Sequence, residues 1–283
     1  VVLNSPIKYF KEPSEKLGMV FNALLHENLL YLGTNRGLFV RNIRLINDDF
    51  RLVPQMQGRV LELKKIDNQL FCGHNSGTFL LENGKARKIS EVTGGWVLKR
   101  LVKYPNVMIQ GTYTKLCIYL RNSASERWEF SHFVDNFSAP VKHIEEDQEG
   151  NIWVNVINRG VSRVQLSADF KTIKQRVNYE EAAFYRANLT QVNGKIIVAT
   201  SKGLLEYQKG TFTEAPLQKM WGSVVSQNIF SLAKDKILLK KTVGGLAIYH
   251  NRRLRNLPLK SSELLDETNV LHIAPALYLI CIE

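Results

Sequence analysis

An all-β chain is predicted by three features of the 283-residue sequence: a hairpin pattern that returns six times, a period near forty residues, and no segment that sustains a helical period over about ten residues. The pattern is an apolar strand, a polar turn of two or three residues, a Gly and a second apolar strand. Its copies read LLYLGTNRGLFV, QLFCGHNSGTFLL, VMIQGTYTKLCIYL, NIWVNVINRGVSRV, KIIVATSKGLLEY and KILLKKTVGGLAIY. Their anchors are Gly37, Gly77, Lys115, Gly160, Gly203 and Gly245, at successive spacings of 40, 38, 45, 43 and 42 residues. Asn-Arg-Gly, Asn-Ser-Gly and Ser-Lys-Gly tolerate the positive φ of tight turns. Lys115 does not, so the third hairpin is expected to need another turn geometry.

Two more strands complete each period. Before the hairpin come candidates such as VFNALLH, VLELKKI, VKHIEED and SVVSQNIFSLA, joined to it through Glu27-Asn28, Asp67-Asn68, Glu149-Gly150-Asn151 and Asn193-Gly194. After it come shorter, more polar strands: FRLVP, ARKIS, WEFSHF, IKQRV, TFTEA and RLRNL. Four strands per period of this length predict a β-propeller of four-stranded antiparallel blades. Six blades are complete, at approximately 19–54, 58–90, 96–134, 140–178, 183–215 and 221–258. A partial seventh is expected from 267–283 plus 5–10, with NVLHIAPALYLICIE as its first two strands and SPIKYF as its outer one. The whole of 1–283 then forms one domain. The first residues, VVLNSPIKYF, show neither a start Met nor the layout of a signal peptide, so the domain is expected to be a fragment of a longer chain.

Within the fourth copy, Asp147-Gln148-Glu149-Gly150-Asn151-Ile152-Trp153 followed by Gly160-Val161-Ser162-Arg163 resembles the D-x-x-G-x-[IL]-W…G-[LV]-x-R pattern of two-component regulator propeller repeats. Tyr31-Leu32-Gly33-Thr34-Asn35-Arg36-Gly37-Leu38 is a second copy, and Cys72-Gly73-His74-Asn75-Ser76-Gly77-Thr78-Phe79 a more divergent third. The combination is similar to periplasmic sensor regions of Bacteroidetes transcriptional regulators. In those, one or two propellers precede a triple-tyrosine β-sandwich, a membrane helix and a cytoplasmic output module. That module is a LuxR-type helix-turn-helix in one-component regulators or a histidine kinase in hybrid two-component systems. The resemblance implies a sensing role, often for a glycan breakdown product. It transfers the glycines and Trp153 as fold residues, and no binding residues.

Composition narrows the chemistry. The formal net charge of +12 and pI of about 9.6 favour acidic partners, although the cations are spread along the chain. Apolar runs are short and broken, so no segment is expected to enter a bilayer. Cys72, Cys117 and Cys281 sit in apolar strands without a CxxC and read as small buried hydrophobes. No cofactor and no metal site is expected: the six histidines lack HxH or HExxH spacing, and there is no Walker loop, GxSxG elbow or GxGxxG. Glu145, Glu146, Asp147 and Glu149 are too close together for a calcium loop or a converging carboxylate pair, and read as a solvated turn.

The candidate site is therefore one face of the ring. In a propeller, turns between the second and third strands share a face with the links between blades. Trp96 and Trp221 open their blades from such links and Tyr113 lies in a hairpin turn, placing flat aromatic faces near a polar rim, either for stacking on sugars or for packing between blades. Arg36, Arg159 and Lys202 directly precede their anchors, with Lys115 and Lys241 close by, so cations are expected around the channel mouth. His74 stands where neighbouring blades carry Thr and is expected to bond its own turn. The ligand-binding set is thus Arg36, His74, Trp96, Tyr113, Arg159, Lys202 and Trp221, with no catalytic residue.

The expected function is ligand sensing, for an unknown small molecule or oligosaccharide with a glycan-derived, anionic signal as the leading class. The segment is expected to be periplasmic and non-enzymatic, without direct nucleic acid contact, and to act in a homodimer of the full-length sensor. The alternatives are a glycan-active propeller enzyme of lyase or sialidase type and a protein-docking scaffold. The first would need converging Arg, Tyr and carboxylate groups at the channel mouth. The second lacks the Gly-His and Trp-Asp markers of WD40 repeats.

Overall fold

Each period folds as a four-stranded meander whose two faces are both covered. The computed structural model describes residues 14–282, apart from 46–47, 182–183, 185–186, 222–225, 234–235, 242–245, 252, 257–267 and 275–276. Blade 1 comprises β1 (Val20–His26), β2 (Leu29–Thr34), β3 (Gly37–Asn42) and β4 (Arg51–Gln57). Blade 2 holds β5 (Val60–Ile66), β6 (Gln69–His74), β7 (Gly77–Glu82) and β8 (Lys85–Ser90). Blade 3 follows with β9 (Val97–Arg100), β10 (Val107–Gly111), β11 (Leu116–Arg121) and β12 (Trp128–Phe133). Blade 4 has β13 (Val141–Glu146), β14 (Ile152–Val156), β15 (Gly160–Leu166) and β16 (Ile173–Tyr179). Blade 5 is β17 (Asn188–Val192), β18 (Lys195–Thr200), β19 (Gly203–Gln208) and β20 (Thr211–Glu214), and blade 6 is β21 (Ser226–Ala233), β22 (Lys236–Lys241), β23 (Leu246–His250) and β24 (Arg253–Asn256).

Strand order within every blade follows the chain, and all pairs are antiparallel. A two-stranded sheet of β25 (Thr268–Ala274) and β26 (Leu277–Ile282) stands for the seventh blade, with β25 beside β1. The outer strand expected from 5–10 lies outside the described residues. The molecule is a β-propeller of six complete blades and part of a seventh.

Strand periodicity builds the core. Successive side chains of a strand point to opposite faces, and each face of a blade meets a neighbouring blade. In β14, Ile152, Val154 and Val156 enter the core shared with blade 3, while Trp153 enters the core shared with blade 5. In β6, Leu70 and Cys72 pack toward blade 1 and Phe71 toward blade 3. Second strands are accordingly buried almost throughout, and the fourth strand β16 is exposed along nearly its whole length. Cys72 and Cys117 are free, buried thiols, and burial pushes the Cys117 thiol up to about 12. Each fully buried large apolar side chain stabilises the fold by about 1.5–3 kcal/mol, so the inter-blade seams dominate stability.

Close approach between blades explains one recurrent glycine. A Cβ at Gly33 would lie 2.5 Å from Val60 Cγ1, and one at Gly111 would lie 2.7 Å from Val141 Cγ1. Both Val60 and Val141 open the next blade, so these glycines let its first strand pass.

Two short helices interrupt the strands among the described residues: α1 (Ser14–Leu17) and α2 (Pro216–Trp221). Trp221 therefore closes a helical turn rather than opening a blade strand. Pro216 at the first helical position, with φ already suited to a helix, favours that turn. No helix among the described residues is long and apolar enough to cross a bilayer.

Candidate functional site

Hairpin tips and inter-blade links share one face, and backbone hydrogen bonds join them. Gly58 N donates to Arg36 O at 3.0 Å, Gly94 N to His74 O at 3.3 Å and Ala139 N to Thr114 O at 2.8 Å. Ala215 N, in the link after blade 5, donates to Leu204 O of β19 at 2.9 Å.

A side-chain clamp holds most of these tips. Thr34 Oγ1 accepts from the N–H groups of Arg36 and Gly37 at 3.0 and 3.1 Å and donates to Gly37 O. Thr200 repeats the clamp on Lys202 N at 3.1 Å and on Gly203 O. Thr112 does the same on Thr114 N and Lys115 N, so the third hairpin keeps the loop length and the clamp of its neighbours. The expected different turn geometry is not seen: the Lys115 hairpin matches the Gly37 hairpin in its clamp. Gly77 and Gly203 have φ of 145° and 120°, whereas Gly37 and Lys115 both lack a positive φ. The Lys115 ammonium lies 4.6 Å from the Phe133 ring centroid, turned toward the outer strand.

His74 fills the Thr position. Its Nδ1 lies 3.1 Å from Ser76 N and 2.7 Å from Ser76 Oγ, and its ring meets Phe79 edge-on at 5.6 Å. The expected bond to its own turn is present. His74 is buried to 1% exposure, so it belongs to the wall beneath the face rather than to its surface, and burial holds its pKa below the usual imidazole value.

Trp96 and Tyr113 are the two predicted residues that the fold brings together. Trp96 directly precedes β9, its N–H bonds Gly111 O at 2.8 Å, and its ring meets that of Tyr113 edge-on at 4.9 Å. Trp96 is half-buried and Tyr113 exposed. Gly94 and Gly95 make this pair possible. A Cβ at Gly94 would sit 2.1 Å from Tyr113 Cδ2, and one at Gly95 would sit 2.1 Å from Gln110 Nε2. Gln110 is itself buried, with its Oε1 accepting from Thr78 Oγ1 at 3.0 Å and from Tyr119 OH at 2.7 Å. Burial pushes the Tyr119 phenol up to about 12. The aromatic pair thus rests on a Gly-Gly strap over a buried polar seam between blades 2 and 3. The motif Gly94-Gly95-Trp96 was the available sequence signal for it, since adjacent glycines before an aromatic mark a backbone under close approach.

The cations belong to other blades than that pair. Arg36, Arg159 and Lys202 are exposed on the tips of blades 1, 4 and 5. Arg159 rides a three-residue loop in which Asn158 has φ of 58°, and its charge acts on Arg176 of β16. The side chains of Trp221 and Lys241 lie outside the described residues.

The acidic cluster is not the solvated turn expected from sequence. Glu146 and Asp147 are buried to 2% and 7% exposure, Glu145 forms an ion pair with Lys99, and Glu149 alone projects outward. Asp147 accepts from Asn151 N at 2.8 Å, from Trp153 Nε1 at 2.8 Å and from Arg163 Nε at 3.3 Å. Burial pushes its carboxyl pKa up, but hydrogen bonds from Trp153 and Asn151 and the Arg163 charge together hold it below the usual value. The residues of the D-x-x-G-x-I-W…R pattern are therefore one bonded unit that fastens the β13–β14 turn. Among the described residues no three His, Cys, Asp or Glu side chains come together as a metal site would need.

No family model matches the chain, and no curated protein does. Solved structures do resemble it. The extracellular domain of the putative one component system BT4673 from B. thetaiotaomicron is 15% identical, with a TM-score of 0.57 over 88% of this chain and 35% of that one. YCF48 bound to D1 peptide is 13% identical, with a TM-score of 0.59 over 92% of this chain and 88% of that one. The Dos1 propeller is 11% identical, with a TM-score of 0.53 over 90% and 72%. This chain spans about a third of the length of the BT4673 domain. At these identities the likeness is one of architecture, and it agrees with the blades described above: the chain has the β-propeller fold.

Proposed function

We propose that this chain is an extracytoplasmic ligand-sensing propeller of a membrane-spanning regulator, and that it responds to a glycan-derived, anionic signal. The observation that carries the reading is the Trp96–Tyr113 pair, held at the surface by the Gly94-Gly95 strap on the face that also bears Arg36, Arg159 and Lys202. Aromatic faces beside a polar rim suit sugar rings, and positive potential around the mouth steers anions inward. The likeness in fold to the extracellular domain of BT4673 supports the sensor reading, as does the repeat pattern of blade 4. The output module, a LuxR-type DNA-binding domain or a histidine kinase, belongs to the rest of such a regulator. Signalling there requires that ligand or homodimer contacts differ between two arrangements of the sensor.

A glycan-active enzyme fits less well. The buried carboxylates of blade 4 are committed to Trp153, Arg163 and backbone N–H groups, and none is directed to the hairpin-tip face. Docking of a protein segment is the second reading, favoured by the resemblance to YCF48, which is described with a bound peptide. Calorimetric titration of the 283-residue chain with a panel of acidic and neutral oligosaccharides decides between them. An acidic glycan should bind, and Trp96→Ala should weaken it about fivefold or more through lost stacking. Binding of no glycan, or equal affinity in the variant, overturns the reading.

A further inference from the structure

Three turns of blades 3 and 4 meet on the face opposite the hairpin tips. They join β9 to β10, β13 to β14 and β15 to β16. Between them lies a cavity of about 200 Å³, lined by Lys103, Tyr104, Glu149, Gly150, Phe170 and Lys174 among others. That volume is below the roughly 300–1,000 Å³ of drug-sized pockets and suits a ligand of a single ring.

Its walls are preorganised. The Glu146 carboxylate, buried beneath the first turn, accepts from the N–H groups of Val102 and Lys103, the latter at 3.1 Å. Asp147 fastens the second turn through Asn151. In the third, Ser167 Oγ donates to Asp169 Oδ1 at 2.6 Å and accepts from Thr172 N at 3.0 Å. Phe170 adopts a φ of 60°, an unfavourable conformation for a bulky side chain, and there its ring meets Tyr104 edge-on at 5.0 Å. The stem of Lys103 lies across Gly150, where a Cβ would come within 2.7 Å of Lys103 Cδ, and its ammonium donates to Glu149 O at 2.9 Å.

Charge and exposure then define the ligand. The lining carboxylate of Glu149 has a partner in Arg163, 3.9 Å away, whereas Lys174 is exposed and forms no ion pair among the described residues. Tyr104, in the lining, is 44% exposed and so open to a ligand from solvent. The geometry points to a binding site for a small ring compound bearing a carboxylate. The ring lies against Tyr104 and Phe170, and the carboxylate meets Lys174 and the remaining N–H groups of Lys103. This site shares no residue with the hairpin-tip face and stands or falls independently of the function proposed above.

Two sources offer that chemistry, an aromatic acid and a sugar acid. The test titrates the 283-residue chain with benzoate and with glucuronate, followed by ligand-observed NMR, with glucose as the neutral control. At least one acid should bind with a Kd of about 1 mM or tighter, and glucose should not. Lys174→Glu, an exposed change, should weaken binding by about tenfold or more, Tyr104→Ala should also weaken it, and Lys85→Ala, at an exposed position on blade 2 outside both sites, should leave it unchanged. Binding of benzoate alone identifies an aromatic acid, and of glucuronate alone a sugar acid. Binding of neither, or binding indifferent to Lys174→Glu, overturns the proposal.

Discussion

The two faces of this propeller are built by different means. On the hairpin-tip face, short tips repeat around the ring, and a Thr or His side chain ties three of them and the Lys115 turn to their own backbone. Exposed chemistry there is a set of separate tips, plus one aromatic pair on a Gly-Gly strap. On the opposite face, buried carboxylates of blade 4 fasten the turns: Glu146 reaches across the seam to the backbone of blade 3, and Asp147 bonds Trp153 and Arg163 of its own blade. Repetition gives a rim that presents charge to solvent, whereas the departure from repetition at one blade gives a cavity open to solvent.

Removing the blade 4 unit should have the largest effect. Trp153 is fully buried and packs against Tyr179 and Tyr207, so Trp153→Ala should cost about 3–5 kcal/mol in a denaturant titration. Asp147→Ala should cost about 2–4 kcal/mol, because it strands the indole N–H and the Asn151 amide in the interior. A cost below about 1 kcal/mol for both would mean that blade 4 is fastened no differently from the others.

Substituting the strap comes next. Gly95→Ala places a Cβ against Gln110 and should destabilise by about 1–3 kcal/mol while also separating Trp96 from Tyr113. The same denaturant titration, with indole fluorescence as the readout, checks both effects. By contrast, Arg36→Ala and Lys202→Ala should stay within about 0.5 kcal/mol of the parent, as exposed tip residues do.

Two innermost strands sharpen the comparison through pH. Burial pushes the Glu62 carboxyl up to about 7 and the His143 imidazole down to about 3. The native protein thus holds a proton on Glu62 that the unfolded chain releases above about pH 4.5, and stability from this group falls as pH rises toward 7. His143 acts oppositely: unfolded His143 takes up a proton below about 6.5, so stability from it falls as pH drops toward 3. Between about pH 4.5 and 6.5 the two slopes, each at most about 1.4 kcal/mol per pH unit, should largely cancel. Glu62→Gln should then make stability rise with pH across that window, and His143→Asn should make it fall. Parallel responses of the two variants would contradict the assignment.

Much of this architecture was legible from spacing. Six anchors at a forty-residue period imply blades, and Gly-bearing tips imply a face. His74 was readable because it occupies a position where Thr34 and Thr200 clamp their turns. Other features could not be read. Strand alternation does not reveal that Glu146 turns inward to cap the backbone of another blade, since its partners Val102 and Lys103 lie 44 and 43 residues away. Phe170 and Tyr104 likewise meet only because blades 3 and 4 stack, and neither carries a local signal. The helical turn Pro216–Trp221 is only six residues long, too short for a helical period to show against the strands around it.

Amide hydrogen exchange with and without an acidic oligosaccharide that raises the Tm tests the central claim most directly. The account predicts new protection at the hairpin tips 34–37 and 112–115 and in the 94–96 strap, together with the loss of that protection in Trp96→Ala. Protection confined to the outer strands such as β8 and β16, or the lack of any stabilising acidic glycan, would contradict it.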